Sequence, residues 1–435
     1  MSLIKDKKMQ WFLHDRFGMF IHFGLYAIPA RGEWVRSNER ISNEEYQKYF
    51  EEFNPVNYNP AEWARLAKEA GMKYAVMTAK HHDGFCLFDS KYTDYKSTNT
   101  KCKRDLIREY ADAFRAEGLK VGLYYSLIDW HHEHYEVVGD GIHPMRDNAE
   151  FVKNAAKRDS SVYIKYLHNQ VEELCANYGK IDIMWFDFSY DKKYGEYWDA
   201  VKLVRTVRKY QPDIIIDNRL EPQHLSGLQS GNLSEYSGDF VSPEMIIPPE
   251  PVRNDKGESL PWEACLTLPV GAWGYNANNR YPSSSVFIRT LVECVSKGGN
   301  LLLNVGPNAL GEIRVEEQKV LREIGCWMKK NGESVYGCGY ADIPKPEYGR
   351  VTRNGKKLYY HFFDWPYGGW FDIAGIKSFD EVKSIRRLAD NSEIQFGGDA
   401  WQTKIFPGKV YVNFCNHPAN MPDAANTVIK VELKK

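Results

Sequence analysis

Asp187 closes the apolar run Ile181-Asp182-Ile183-Met184-Trp185-Phe186, and a carboxylate at the end of such a run is a candidate nucleophile. The competing reading is a helix N-cap or a structural ion pair. Trp185 shares a strand face with Asp187, so its indole either flanks whatever that carboxylate attacks or packs an interior. Asp182, where the run begins, reads as structural or capping. Glycoside hydrolysis asks for two carboxyl groups, one to attack or activate water and one to protonate the leaving oxygen. Candidates for the second are Glu244, in Gly238-Asp239-Phe240-Val241-Ser242-Pro243-Glu244, and Glu263, in Pro261-Trp262-Glu263. Both have aromatic or apolar neighbours that raise a carboxyl pKa, and each alone also reads as an exposed or salt-bridged glutamate.

His81-His82-Asp83 offers ordinary zinc ligands, yet adjacent histidines on a straight strand point to opposite faces, and no further His or Cys stands at ligand spacing. Hydrogen bonding to substrate hydroxyls suits the pair better than a metal, and a satisfied structural pair is the alternative. His22 ends an earlier apolar run and belongs to the same class. Asp129-Trp130-His131-His132 is equally open, its histidines reading also as loop polar groups.

These residues stand at the ends of repeated elements. Apolar strands at Ala75 to Ala79, Val121 to Tyr125, Ile214 to Ile216 and Leu301 to Leu303 run into Lys80, Ser126, Asp217 and Asn304. Helical patterns lie between them, over Pro60 to Ala70, Arg104 to Glu117, Ser160 to Ala176 and Tyr194 to Lys209. Strand, polar strand end and amphipathic helix in repetition predict a TIM-like (β/α)8-type barrel with its site at the carboxyl ends of the strands. A doubly wound sheet shares the alternation, but Gly18-Met19-Phe20-Ile21-His22-Phe23-Gly24 is no glycine-rich phosphate turn.

At 435 residues the chain exceeds one ordinary domain and fits a barrel of about 250 to 340 residues with a smaller companion. The last strong helical pattern is Val315 to Lys330. Beyond it lie short alternating runs, Lys357 to Phe363, Val382 to Leu388, Lys404 to Phe406, Lys409 to Phe414 and Thr427 to Leu433. The spacing predicts a catalytic barrel over residues 1–343 and a C-terminal antiparallel β-sandwich over 344–435. Residues 133–148 and 222–261 are polar and helix-poor, as functional loops on a barrel are.

Lys plus Arg number 57 against 58 Asp plus Glu, so no global field favours nucleic acid or an anionic membrane. Aromatics reach 14%, which suits sugar faces, although core packing accounts for most of them. The eight cysteines are scattered without a CxxC pair and read as free thiols of a reducing compartment. No run of about 18 apolar residues is present, and Met1 to Gln10 does not read as a signal peptide. A cytoplasmic location is therefore favoured, with periplasmic or secreted placement left open.

Nine collinear motifs carry a resemblance: Phe17 to Gly24 (FGMFIHFG), Glu33-Trp34, Lys80 to Phe85 (KHHDGF), Gly122 to Ser126 (GLYYS), Trp185-Phe186-Asp187, Gly238 to Glu244 (GDFVSPE), Trp262-Glu263, Trp273-Gly274-Tyr275-Asn276 and Gly298 to Pro307 (GGNLLLNVGP). From about Trp11 to Tyr340 the chain resembles the retaining α-L-fucosidases of glycoside hydrolase family 29. The resemblance implies an exo-acting enzyme that releases terminal fucose from a fucosylated oligosaccharide or glycoconjugate, needing neither metal nor cofactor. It makes Asp187 the nucleophile and places His22, Glu33, Trp34, His81, His82, Tyr124, Trp185 and Arg219 among the fucose contacts, with Trp273 walling the pocket. The acid/base position varies in that family, and Glu244 on the SPE segment is preferred to Glu263. Phe186 and Phe188 flank the nucleophile where the family varies, and residues 221–237 carry no assignable motif, so linkage and aglycone preference are not implied. Nor is the choice between monomer and homo-oligomer. The alternatives are an exo-glycosidase of another deoxy- or galacto-configured sugar, a catalytically silent sugar-binding homologue, and a metal hydrolase using His81 and His82.

Overall fold

Seven parallel strands curl side by side in the order β5-β4-β3-β2-β1-β7-β6. They are β1 (Phe17–Ile21), β2 (Tyr74–Lys80), β3 (Lys120–Ser126), β4 (Ile183–Asp187), β5 (Ile215–Ile216), β6 (Glu263–Thr267) and β7 (Asn300–Val305). The structure is a computed structural model that describes residues 3–190, 192–222, 226–397, 401–413 and 421–434. Phe414 and Cys415 lie outside these. The gap between β5 and β6 is spanned by residues 238–244, which meet both edges through the single parallel bridges Asp217↔Phe240, Val241↔Trp262 and Glu244↔Cys265. Gly238 makes this approach possible: its φ is +82°, and a Cβ there would lie 2.2 Å from the Asp217 carbonyl oxygen. Asp239 then donates its N–H to Ile216 O (2.7 Å) and accepts the Ile216 N–H on its carboxylate (2.9 Å).

The barrel interior is filled in layers, as the pleat requires. Phe20, Val76, Tyr124, Trp185, Cys265 and Leu302 belong to one buried cluster that Met9 and Phe12 complete from the amino end of the strands. Deepest at that end, the Tyr74 hydroxyl donates to the Glu263 carboxylate and accepts from Asn300 Nδ2 (3.3 Å). Gly18 leaves room for this, since a Cβ there would lie 2.3 Å from the Tyr74 ring. Asp182 is structural, accepting the Val121 N–H (3.0 Å) and pairing with Lys180 (2.8 Å).

Burial pushes the Glu263 carboxyl up to about 8, against the opposing influence of Tyr74 and Trp185. A carboxyl whose folded pKa exceeds its unfolded value binds more protons folded than unfolded, so it makes stability fall as pH rises between the two, from about 4.5 to about 8. Glu263→Gln should flatten that decline in chemical-denaturation curves measured at pH 5 and pH 8. An unchanged pH slope would show that Glu263 is ionised throughout.

The helices Pro60–Glu69, Leu106–Ala116, Ser160–Asn177 and Val315–Asn331 cover the sheet where the sequence predicts them. The fourth pattern, Tyr194 to Lys209, is interrupted. Asp199 adopts φ +49° and separates a 3-10 turn, Gly195–Trp198, from the helix Ala200–Tyr210.

Beyond the barrel a five-stranded antiparallel sheet runs in the order β12-β14-β10-β9-β8, with β11 and β13 paired beside it. Its strands are β8 (Gly339–Tyr340), β9 (Gly349–Asn354), β10 (Lys357–Phe362), β12 (Val382–Arg387) and β14 (Thr427–Leu433), and the pair is β11 (Trp370–Asp372) and β13 (Tyr411–Asn413). Phe371 and Val412 from the pair share a core with Leu358, Ile385 and Val431 from the sheet. Strand β8 precedes residue 344 yet pairs with β9, so the sheet begins slightly before the expected boundary. Lys404 to Phe406, expected as a strand, falls instead in and beside the helix Trp401–Ile405, where Phe406 N–H reaches Gln402 O (2.8 Å), a helical i, i−4 bond that alternation of residue type does not reveal. Arg289 joins barrel to sheet through the carbonyls of Phe363 (2.9 Å) and Ala425 (2.9 Å). Among the described residues no helix is long and apolar enough to cross a membrane, and the seven described cysteines are free.

Candidate active site

Asp187 ends β4 with its side chain in a cavity of about 310 Å³ of empty space, mouth included. His22, Trp34, His81, His82, Tyr124, Trp185, Glu244 and Trp273 line that cavity, as the sequence leads one to expect, together with Phe20, Phe188 and Cys265. Phe20 and Cys265 were legible in principle. Phe20 shares a pleat face with His22, and Cys265 shares one with Glu263, one layer nearer the mouth.

Both Asp187 oxygens are engaged. Tyr124 donates its hydroxyl to Oδ2 (2.7 Å), while Oδ1 accepts from Arg219 Nη1 (2.8 Å) and from the Phe188 N–H (2.9 Å). The same Arg219 nitrogen donates to Glu244 Oε2 at 2.8 Å. Those two carboxylate oxygens are therefore no farther apart than twice that length, which accommodates the separation of about 5 to 5.5 Å between carboxyl groups associated with retention. Arg219 is itself fixed. Its Nε donates to Ser242 Oγ (3.1 Å), its Nη2 to Ser242 O (3.1 Å), and its guanidinium carbon lies 4.4 Å from the Trp185 ring centroid. Burial works against the Arg219 charge, but Asp187 and Glu244 outweigh it and raise its pKa. Burial also raises the Asp187 carboxyl above its ordinary value, opposed by Arg219 and reinforced by Glu244.

Strand β2 ends at Lys80, and the chain turns at once, with Gly84 N–H bonded to His81 O (3.1 Å). This bend carries both imidazoles into the cavity, their centroids 4.0 Å apart, where a straight strand would have separated them. Their protons follow from their neighbours. Ser126 donates its hydroxyl to Ile128 O (2.8 Å), so its oxygen accepts from His82 Nδ1 (2.7 Å). Asn304 donates Nδ2 to Trp273 O (2.7 Å), which turns Oδ1 to His22 Nδ1 (2.7 Å). His22 and His82 thus carry hydrogen on Nδ1 and present Nε2 as an acceptor for a hydroxyl. Burial holds His22 down at about 3 and lowers His81 and His82 well below the ordinary value, so all three rings are neutral near pH 7. Among the described residues no group of three or more His, Cys, Asp and Glu is arranged to hold a metal ion.

Of the expected fucose contacts, Glu33 and Arg219 are not part of the cavity wall, and neither is Glu263, the alternative acid/base. Glu33 is buried behind the Trp273 loop, where it accepts the N–H groups of Trp273 (3.0 Å) and Gly274 (2.7 Å), and burial raises it to about 7. Glu263 begins β6 whereas Asp187 ends the parallel β4, which puts them at opposite ends of the barrel. Asp129 serves the frame beneath the site: it pairs with the buried Lys80 (3.0 Å) and accepts the N–H groups of His131 (2.9 Å) and His132 (2.8 Å). His131 stacks on Tyr95 at 3.7 Å, away from the cavity.

A family model described as Alpha-L-fucosidase matches residues 1–333. The chain belongs to the alpha-L-fucosidase family. It is accordingly a glycoside hydrolase, and its barrel and C-terminal sheets are those of that family. The plasma alpha-L-fucosidase of Homo sapiens is 28% identical over 417 residues, covering 89% of this chain and 82% of that protein. Alpha-L-fucosidase isoenzyme 1 from Paenibacillus thiaminolyticus is 55% identical and superposes with a TM-score of 0.93 over 99% of both chains. A family 29 alpha-L-fucosidase from Bacteroides thetaiotaomicron, trapped as a covalent intermediate with 2-fluoro-fucosyl fluoride, is 28% identical with a TM-score of 0.83 over 100% of this chain and 98% of its own.

Proposed function

We propose that this fucosidase is exo-acting and retaining, with Asp187 as nucleophile and Glu244 as acid and then base. One observation carries the reading: a single Arg219 nitrogen binds both carboxylates inside a cavity closed by neutral histidines and aromatic rings. In the first step an Asp187 oxygen forms a bond to the anomeric carbon as the glycosidic C–O bond breaks, and Glu244 gives its proton to the departing oxygen. In the second, Glu244 takes a proton from water whose oxygen attacks the same carbon, and the bond to Asp187 breaks. Arg219 and Tyr124 hold Asp187 in place, so its carboxylate faces the positive charge that develops on the sugar ring without first having to reorganise. Glu244 is 39% exposed against 11% for Asp187, which suits a group that must meet both the leaving oxygen and incoming water.

The sugar ring fits between acceptors and rings. His22 and His82 would accept hydroxyl hydrogens, while Phe20, Trp185 and Trp273 give the apolar wall that a C5 methyl needs. The direct test is hydrolysis of 4-nitrophenyl α-L-fucoside and of fucosylated oligosaccharides of defined linkage, with the first-formed anomer followed by proton NMR. α-L-Fucose appearing first supports the scheme, and release from none of the substrates would end it. Chelators are expected to leave the rate unchanged, since the three histidines meet hydroxyls rather than an ion. His82→Ala should raise KM and lower kcat together. Stoichiometric zinc, with activity lost on its removal, would overturn the assignment of these histidines to hydroxyl recognition.

A further inference from the structure

At the amino end of the strands, away from Asp187, a second cavity holds about 890 Å³ of empty space, open solvent included. It lies where the barrel meets β8, and it is lined by Arg16 and Lys297 together with Ile4, Leu13, Val252 and Leu260. We propose that this cavity binds a small amphipathic carboxylate, with the charged end on Arg16 and the hydrocarbon body against the apolar residues.

Arg16 precedes β1 and is 6% exposed. Its Nε donates to Cys338 O (2.8 Å), and its Nη1 donates to Gly298 O (2.7 Å) and Asn300 Oδ1 (3.2 Å), all of them neutral oxygens. Asp15, its neighbour in the chain, pairs with Lys120 instead (2.7 Å). Burial lowers the Arg16 pKa to about 10, against the opposing influence of Cys338 and Tyr74, so the guanidinium is still charged near pH 7. A buried cation without a counter-charge is costly, and an entering anion offsets that cost through a charge-assisted hydrogen bond.

The open donor is Nη2. It makes none of those bonds and is not sealed from solvent. Gly339 keeps it uncovered, since a Cβ there would lie 3.3 Å from Nη2. Lys297 adds positive charge, because its partner Glu293 (3.2 Å) is shared with Arg350 (2.5 Å). At the rim Glu250 and Arg253 act on Tyr340 with opposite sign. The apolar wall comes partly from a hairpin in which Leu260 N–H meets Val252 O (3.0 Å) and Asn254 N–H meets Glu258 O (2.9 Å). A neutral ligand would leave the guanidinium uncompensated, and an inorganic oxyanion would leave this wall wet.

Hexanoate is titrated into the full chain by calorimetry and in thermal melts, with hexanamide and inorganic phosphate in parallel. Hexanoate should bind once per chain and raise Tm as the site fills. Hexanamide lacks the charge and phosphate lacks the hydrocarbon, so each should bind at least about tenfold more weakly. Gly339→Val, which covers Nη2, should weaken hexanoate by at least about tenfold. Val252→Glu, which sets a rival carboxylate in the cavity, should do the same and carries the test should Gly339→Val fail to fold. Neither residue touches the site at Asp187, so both variants should hydrolyse 4-nitrophenyl α-L-fucoside as the wild type does. Hexanoate should leave the wild-type KM unchanged. The proposal is overturned by an absence of saturable binding, by binding that the folded variants retain, or by hexanamide or phosphate binding as tightly as hexanoate. Competition between hexanoate and the fucoside would also overturn it, by placing the anion in the reaction centre.

Discussion

Asp187→Gly should abolish turnover of every fucoside, by about three to five orders of magnitude in kcat, while the protein stays folded. The loss is large because the residue makes the covalent bond. Tyr124, Arg219 and the Phe188 N–H can orient a carboxylate but cannot replace one. The fold should persist because Arg219 retains Glu244 and both of its Ser242 bonds. Burial disfavours the Asp187 charge, so removing the group also relieves a desolvation cost. Added azide should occupy the vacated space, attack the anomeric carbon from the nucleophile's side and give a fucosyl azide of inverted configuration. Near wild-type hydrolysis by a folded Asp187→Gly protein would take Asp187 out of the mechanism.

Glu244→Ala should discriminate among leaving groups. Natural oligosaccharides, whose alkoxide departs poorly without a proton, should lose about 10² to 10⁴ in kcat/KM. A 2,4-dinitrophenyl fucoside needs little protonation and should lose less than about tenfold in its first step. Its second step then lacks a base, so covalent intermediate should accumulate and be visible by mass spectrometry. Azide needs no base and should speed release, giving a fucosyl azide of the substrate's own configuration, opposite to the Asp187→Gly product. Glu263→Gln provides the contrast. Its carboxyl is bonded to Tyr74 at the amino end of the strands, so the variant should change the pH dependence of stability and show no leaving-group dependence. If Glu263→Gln shows that dependence and Glu244→Ala does not, the acid/base role moves to Glu263.

Much of the site was legible because the pleat of a strand is a reliable ruler. Trp185 and Asp187 share a face of β4, and both line the cavity. The pleat alone leaves Glu263 a candidate, since it shares a face with Cys265, and its place at the start of β6 is what removes it from the site. It stands at the start of an apolar run, as Asp182 does, and a residue there faces the opposite end of a parallel barrel. Where the chain leaves regular structure the ruler fails. The convergence of His81 and His82 depends on a turn after Lys80, and the place of Glu33 depends on a loop more than two hundred residues away along the chain. The proton positions of His22 and His82 are set by Asn304 and Ser126, which in sequence are only polar strand ends. In the C-terminal region the helix Trp401–Ile405 was hidden because a short apolar run has no period long enough to tell helix from strand.

The segment that closes the barrel, residues 238–244, is hydrogen-bonded along β6 through Val241 N–H to Pro261 O (3.0 Å), Glu263 N–H to Val241 O (2.9 Å), Cys265 N–H to Pro243 O (3.1 Å) and Met245 N–H to Cys265 O (3.0 Å), a ladder interrupted where Pro243 has no N–H to give. Its Ser242 also holds Arg219, and Arg219 holds Asp187. Nucleophile and proton donor therefore share one mount. A graft over residues 238–246 should shift both at once, so exchanging this segment to change the alcohol expelled carries a cost in the attacking carboxylate on β4 as well.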